Sequence, residues 1–318
     1  MTPPIPLTAD QRTDAALQLV LQRQLDSLLA NVPGVRDQVD TEFLHDLRVA
    51  VRRARSLLGQ VRGVFPARRV EGLRADLGWL GRCTNAARDM DVFLLALDEY
   101  TARLPPASRP HLAPFRRFLT TQRVSAYAEA ARCFECARYR RMEKRWHSLA
   151  HGPLPRKPTA RRALSPVGEV ARKRVWRAYR RLMKLGSAIG PESPARDLHA
   201  VRIAGKKLRY LMESFRSLFP RKALGTLIRS LKTFQDNLGE MQDLQVQQER
   251  LRGFGKAMAD EDDLPAQARE AMDRLVRELS RREARVRLEF AERFQTFSAP
   301  ETVGTFRETF RARPGTDR

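Results

Sequence analysis

Two histidines in this chain are each followed by a row of cationic residues at the same spacing. The first motif contains His45, Arg48, Arg52, Arg53 and Arg55, and the second contains His199, Arg202, Lys206, Lys207 and Arg209. Guanidinium and ammonium groups donate charge-assisted hydrogen bonds to phosphate oxygens, and an imidazole can add one further donor. The pattern therefore predicts two copies of an anion-binding site, with helix orientation as the alternative role of each histidine.

The two rows belong to a tandem repeat whose copies lie 154 residues apart, so that Phe65-Pro66 corresponds to Phe219-Pro220 and Leu73 to Leu227. Register kept over about 45 residues without an insertion indicates a true internal repeat, and each copy should form one structural unit. We expect a single domain over 7–311, made of repeat one (about 7–150), a proline-rich connection (about 151–164) and repeat two (about 165–298), with a tail over 312–318.

Helical spacing of apolar residues runs through nearly the whole chain, whereas no segment alternates as a half-buried strand would. The sequence therefore predicts an all-α fold with four helices in each repeat, an organisation typical of two four-helix bundles. The predicted helices cover roughly 8–30, 41–64, 68–100 and 108–150 in repeat one, and 165–188, 195–218, 221–258 and 265–297 in repeat two.

On a helical wheel each cationic row borders an apolar row. Within an arc of about 80° lie His45, Arg48, Arg52 and Arg55, beside Leu44, Leu47, Val51, Ala54 and Leu58. The second copy repeats this with His199, Arg202, Lys206 and Arg209 beside Leu198, Val201, Gly205, Leu208 and Met212. No acid relieves the row, since Asp46 lies off it. A solvated surface explains one such row, but its duplication favours a strongly anionic ligand.

Other repeated polar residues rank below these rows. Arg53 and Lys207 point about 80° to the other side, and Arg62 corresponds to Arg216 further along. In a further matched pair, Arg88-Asp89 corresponds to Gln242-Asp243. Each aspartate could act as a catalytic acid, but near a cation cluster it more often orients an arginine. On the predicted fourth helix, Arg141, Lys144 and Arg145 either extend the basic surface or form a solvated face.

Composition agrees with a folded protein that meets a polyanion. Sixty Lys and Arg against 37 Asp and Glu leave a net charge of +23, and 42% of the residues are hydrophobic. The candidate partners are nucleic acid, anionic lipid and polyphosphate. No apolar run approaches the roughly 20 residues of a membrane span, so we expect a cytoplasmic protein without a membrane partner. Three cysteines, an odd number in a long chain, predict reduced thiols rather than a structural disulfide.

The doubled His-x-x-Arg-x-x-x-Arg-Arg-x-Arg pattern, followed by Arg-Asp or Gln-Asp, resembles the CHAD family, the conserved histidine α-helical domain. The resemblance covers about residues 7–300. It implies two four-helix bundles related by a pseudo-twofold axis, with the duplicated basic helices lining a central groove that binds inorganic polyphosphate, and association with polyphosphate granules. Thr84-Asn85 stands where the family usually has Leu-Gly, as in Leu238-Gly239, a departure that bears on the local helix geometry before Asp89.

Three other functions remain as alternatives. A charge of +23 would bind nucleic acid nonspecifically, although the chain has no RRM, KH or homeodomain signature and no arginine-glycine tail. The spacing of Cys133, Cys136, His147 and His151 resembles a zinc finger but is two residues short between the second Cys and the first His. Phosphoryl hydrolysis needs clustered carboxylates, and the repeated positions supply one Asp per half. We therefore expect a binding protein with no catalytic residue, no metal and no cofactor, and of undetermined oligomeric state.

Overall fold

The computed structural model describes residues 5–261 and 264–311. Within these residues the fold is all-α, as predicted, with twelve α-helices, three short 3-10 helices and no β-strand. The α-helices are α1 (Thr13–Arg36), α2 (Thr41–Gln60), α3 (Ala67–Cys83), α4 (Asn85–Ala102), α5 (Ala113–Glu135), α6 (Ala137–His151), α7 (Val167–Gly186), α8 (Ala195–Ser214), α9 (Arg221–Asp260), α10 (Ala266–Leu288), α11 (Phe290–Phe297) and α12 (Pro300–Phe310). The predicted tail over 312–318 lies outside the described residues.

The two helices that carry the cationic rows, α2 and α8, are amphipathic in the predicted sense. Their apolar rows, Leu44, Leu47, Val51, Ala54 and Leu58 in α2 and Leu198, Val201, Gly205, Leu208 and Met212 in α8, are all buried. Asp40 caps α2 by accepting a hydrogen bond from the Glu42 amide at 2.8 Å. Burial of the apolar row fixes the rotation of each helix, and so it fixes the direction in which the cations point.

The repeat is visible in the positions of the helices. In repeat one α1, α2 and α3 begin at Thr13, Thr41 and Ala67, and in repeat two α7, α8 and α9 begin 154 residues later at Val167, Ala195 and Arg221. Helix packing follows the same order in both halves: α1 on α2 and α7 on α8, α4 on α5 and α9 on α10, α1 on α6 and α7 on α12. The connection between the halves runs from 152 to 166, close to the predicted 151–164.

Two predicted helices of repeat one are broken in the structure. The prediction of one helix over 68–100 was wrong, because Thr84 takes φ −101° and ψ 5° between α3 and α4 and bonds its hydroxyl back to the Leu80 carbonyl at 3.0 Å. The prediction over 108–150 was wrong because Cys136 is extended, with ψ 156°, and its Sγ caps α6 by accepting from the Tyr139 amide. In repeat two, α9 continues through Leu238, the counterpart of Thr84.

The end of repeat two also differs from the prediction. The predicted helix over 265–297 is divided into α10 and α11, which meet at Glu289. A further helix, α12, follows the predicted boundary at 298 and occupies the place against α7 that α6 takes against α1. Its Phe306 ring stacks on Tyr179 with centroids 3.9 Å apart, and Phe306 and Phe310 are buried. Repeat two therefore extends to Phe310, because this burial completes its core.

The two repeats are interlocked by the long helix α9. Its Phe254 reaches into repeat one, where its ring centroid lies 5.7 Å from that of Phe93, 6.0 Å from that of Phe115 and 6.0 Å from that of Phe118. Close aromatic pairs of this kind stabilise a core beyond the area that they bury. The described residues therefore form one continuous core, which positions α2 and α8 against each other.

Candidate anion-binding site

The two cationic rows converge where α2 contacts α8. Arg52 and Lys206 occupy equivalent positions in the repeats, and they lie close enough for the Arg52 charge to act on Lys206. Burial, followed by the charges of Arg202 and Arg52, lowers the pKa of Lys206 to about 8. Two like charges from different repeats thus act on each other where α2 meets α8.

Arg48 is held by three acceptors at the break between α3 and α4. Its Nη1 donates to the Gly81 carbonyl at 2.8 Å and to Thr84 Oγ1 at 2.7 Å, and its Nη2 donates to Asn85 Oδ1 at 2.7 Å. Burial lowers the pKa of Arg48 to about 10. Thr84 and Asn85 therefore position this arginine. The sequence signalled them only as a departure from the Leu-Gly pair of repeat two.

The motif histidines make equivalent contacts through Nδ1. Arg88 Nη2 donates to His45 Nδ1 at 2.9 Å, whereas His199 Nδ1 contacts Gln242 Oε1. Because Arg88 carries only donors, His45 must accept at Nδ1 and carry its proton on Nε2. Burial and the Arg88 charge lower the pKa of His45, so this ring is a neutral Nε2–H donor at pH 7.

The two repeated aspartates have different partners. Asp89 accepts from Arg250 Nη2 at 2.5 Å, and Arg250 belongs to repeat two, so this ion pair joins the repeats. Asp243 lies 3.5 Å from Arg202 Nη2 of its own repeat and so contacts a motif cation. Sequence spacing could not reveal Arg250, since its counterpart in repeat one is Ala96.

The expectation that no acid relieves the cationic rows fails for α8. Glu213 lies one turn after Arg209, with 3.7 Å between Arg209 Nε and the carboxylate, and it also accepts from Arg53 of repeat one at 2.9 Å. In α2 the carboxylate contacts only Arg53, which lies off the row on the helical wheel, and among the described residues neither Arg52 nor Arg55 lies within 4.0 Å of a carboxylate. The charge of the site is therefore least compensated on the α2 side.

A cavity of about 410 Å³ runs beside the row of α8 and is shared by both repeats. Glu99 and Tyr100 of repeat one face Arg202, Lys206 and Arg209 across it. It also contains carboxylates, including Asp236 and Glu240, and Arg282 contacts both Glu99 and Glu240. The Nε atoms of the equivalent Arg48 and Arg202 are buried and have no acceptor among the described residues, so an anion that reached them would supply one.

The remaining predicted residues lie away from this cavity. Lys207 and Arg62 line a second cavity on the other side of α8, and Arg53 and Arg216 line its counterpart. Arg55 lies against Gly78, where a Cβ atom would be 3.4 Å from its guanidinium carbon.

The predicted basic extension on α6 is not brought to the motif rows. Lys144 and Arg145 line a separate surface cavity with Arg68 and Arg69 of α3, and Arg145 Nη1 donates to Asp76 at 2.6 Å. Arg141 is exposed on the same helix.

The alternative metal site has no supporting geometry in the described residues. No group of three or more His, Cys, Asp or Glu side chains there is arranged to hold a metal ion. His147 and His151 stack on each other on successive turns of α6, with ring centroids 4.4 Å apart. Cys83, Cys133 and Cys136 are free thiols, and burial together with a hydrogen bond to Cys83 raises the pKa of Cys133 to about 12.

Comparison with known families identifies the fold. The model of the CHAD domain family matches residues 19–252, which include both histidine motifs. The chain belongs to the CHAD domain family.

Solved structures agree with the CHAD fold. The crystal structure of the CHAD domain from the plant Ricinus communis superposes with a TM-score of 0.74 at 24% identity, over 94% of this chain and 97% of that one. PptA from Streptomyces chartreusis gives a TM-score of 0.67 at 18% identity, over 90% of this chain and all of that one. No curated protein matches in sequence. In the described part of this CHAD chain, no helix is both long and apolar enough to cross a bilayer.

Proposed function

We propose that this CHAD protein binds inorganic polyphosphate where α2 meets α8, and that binding brings it to polyphosphate granules. The observation that carries the proposal is the contact of α2 with α8, where the equivalent cations Arg52 and Lys206 of the two repeats act on each other. Such an arrangement costs repulsion, and a ligand with about one negative charge per unit offsets it along the whole row. The stable positions of Arg48 and His45 pre-organise two donors for the same ligand.

Polyphosphate fits this surface better than nucleic acid. The rows and the cavity beside them expose guanidinium, ammonium and imidazole groups together with the carboxylates of Glu99, Asp236, Glu240 and Asp243, and Tyr100 is the single aromatic residue among the cavity's lining. Single-stranded nucleic acids gain much of their affinity from bases stacked on aromatic rings, which a phosphate chain does not need.

The test is the affinity of the purified protein for long-chain polyphosphate, duplex DNA and heparin at equal charge concentrations and physiological salt. We expect polyphosphate to bind at least tenfold more tightly than the other two, because the site holds its donors in position for a phosphate chain. Charge alone would bind all three polyanions alike. Equal binding of the three polyanions would overturn the proposal in favour of a general polyanion binder.

We further propose that the bound chain is not hydrolysed. Asp89 forms an ion pair with Arg250. Asp91 is buried and accepts hydrogen bonds from Arg123 and the Tyr127 hydroxyl. The two carboxylates, two residues apart on α4, point to different sides of the helix and are not placed to share one Mg²⁺ ion. Incubation with polyphosphate and Mg²⁺ is expected to leave phosphate at the level of a protein-free control. Steady phosphate release would contradict this expectation.

The pKa of Lys206 predicts how binding depends on pH. A pKa of about 8 in the free protein means that Lys206 is charged at pH 7 and mostly neutral at pH 9. A bound polyanion favours the charged form, so affinity should fall by about tenfold between pH 7 and pH 9. The variant Lys206→Arg carries at this position the residue type that repeat one has at Arg52. This variant should bind polyphosphate as tightly at pH 9 as at pH 7.

The measurement is the polyphosphate affinity of the wild-type protein and of Lys206→Arg at pH 7, 8 and 9 and constant ionic strength. Long chains are used because their interior phosphates stay ionised throughout this range. The same pH dependence in both proteins would show that another group is responsible.

A further inference from the structure

A second cationic cavity lies on the opposite face of α8 from the motif row. Arg202, Lys206 and Arg209 line the first cavity, whereas Ala204, Lys207 and Leu211 line the second. At about 100° per residue, the two sets are centred roughly 170° apart on the helix. A ligand in the second cavity would therefore not touch Arg202, Lys206 or Arg209.

The second cavity, of about 380 Å³, is lined by five cations and no acid: Arg62, Arg174, Arg177, Arg181 and Lys207. Among the described residues, no carboxylate lies within 4.0 Å of any of them. Solvated charges normally have acids interspersed among them, so an acid-free group of five is costly without an anion. The neighbouring Arg161 and Arg162 add to the same positive field, and with burial they lower the pKa of Arg174.

Part of this cluster is fixed by the backbone at the end of α2. The Arg62 carbonyl accepts from Arg162 Nη1 at 3.0 Å and from Arg174 Nη2 at 3.1 Å. Gly63, with φ +80°, turns the chain there, and its carbonyl accepts from the Arg162 amide at 2.8 Å. The connection between the repeats is thereby tied to α2, and two guanidinium groups are gathered at the rim of the cavity.

The repeat supplies an internal comparison. The counterpart cavity, 154 residues away in register, is lined by Val20, Ser27 and Glu213 where the second cavity has Arg174, Arg181 and Gly59. There Arg53, the counterpart of Lys207, is paired with Glu213 at 2.9 Å, and Asp46 adds a second carboxylate. The same pocket is thus built twice. In one copy two carboxylates lie among four cations, Arg23, Arg53, Arg216 and Arg229, and in the other the five cations have no carboxylate among the described lining residues.

We propose that the cavity between α7 and α8 is a second anion site, which binds a short run of phosphate groups. The convergence of five cations in about 380 Å³ suits an oligophosphate, because guanidinium forks bind phosphate oxygens in pairs. The phosphates come either from a polyphosphate chain that also occupies the motif rows or from a separate small oligophosphate. The site does not depend on the function proposed for the motif rows.

The experiment uses inorganic tripolyphosphate and calorimetry at physiological salt, on the full chain carrying Arg52→Glu and Lys206→Glu so that the motif rows are disabled. We expect one tripolyphosphate to bind per chain. Adding Arg181→Glu should weaken binding by about tenfold or more. The matched control is Arg229→Glu, an exposed cation that lines the counterpart cavity, and it should change affinity less than threefold. Arg181 is also exposed, so neither substitution disturbs the core.

Equal losses from Arg181→Glu and Arg229→Glu, or no binding before either is added, would overturn the proposal. Competition in the wild-type protein then identifies the source of the phosphates. Displacement of tripolyphosphate from the second cavity by long-chain polyphosphate indicates one chain that reaches both sites, whereas simultaneous binding indicates a separate ligand. If the Arg52/Lys206 reversals leave long-chain affinity unchanged while Arg181→Glu lowers it, the proposed function fails and the second site stands.

Discussion

Reversing the charge of Arg52 and Lys206 together is expected to lower polyphosphate affinity by roughly 100-fold or more at physiological salt. The two positions are equivalent in the repeats and lie where α2 meets α8. Each reversal removes one favourable contact with the polyphosphate chain and adds a repulsive one. The fold should survive, because Arg52 is exposed and the substitutions relieve repulsion within the row.

The measurement is polyphosphate affinity by calorimetry or fluorescence anisotropy, with thermal unfolding on the same samples. The control is Arg68→Glu/Lys222→Glu, which changes the net charge by the same amount at another pair of equivalent positions, both exposed in the first turns of α3 and α9. Equal losses in the two variants would mean that only the overall charge matters, and the motif rows would lose their special role.

Replacing Arg123 by leucine should lower the free energy of unfolding by about 3 kcal/mol. Asp91 is fully buried, and its carboxylate accepts from Arg123 Nε at 2.8 Å and from the Tyr127 hydroxyl at 2.7 Å. Removal of Arg123 leaves a buried charge with one neutral donor, a state that proteins tolerate poorly. Because this pair fastens α4 to α5, it also supports Arg88 and Asp89 in the first turns of α4.

Denaturant unfolding measures this effect. Arg117→Leu is the matched control, since Arg117 is exposed on the same helix and its loss should change stability by less than about 0.5 kcal/mol. The double variant Asp91→Leu/Arg123→Leu should be more stable than Arg123→Leu alone, because it removes the stranded charge as well as its partner. A double variant that is less stable still would indicate that lost packing, not the unpaired carboxylate, causes the effect.

Much of the fold was predictable because the repeat and the apolar periodicity are local patterns. The buried rows of α2 and α8 follow directly from i, i+3 and i+4 spacing, and the cations beside them follow from the same wheel. The helix break at Thr84 was not predicted, since it depends on a hydroxyl that bonds both to Leu80 and to Arg48 from another helix. The helix α12 was not predicted, because the burial of its phenylalanines depends on contacts with α7 that the local sequence pattern does not show.

The candidate site could be predicted from the sequence only where its residues are repeated. The spacing predicted which cations share a helix face, and their binding of an anion stays a prediction. It could not show that Glu213 pairs with Arg53 from the other repeat, or that Arg250 reaches Asp89. Contacts between the repeats do not recur at a fixed spacing in the sequence. For the same reason the five cations of the second cavity, which come from the end of α2, α7 and α8, could not be recognised as a group from spacing alone.

The interlocking of the halves through Phe254 has a consequence for symmetry. In a dimer of two identical subunits joined by such contacts, every substitution would appear on both sides of the twofold axis, so both halves would always change together. Here the halves share one covalent chain, so Glu213 can pair with Arg53 in one pocket while its counterpart Gly59 places no carboxylate in the other. A single polypeptide can thus keep a symmetric framework and still offer two chemically different faces to the molecules that it meets.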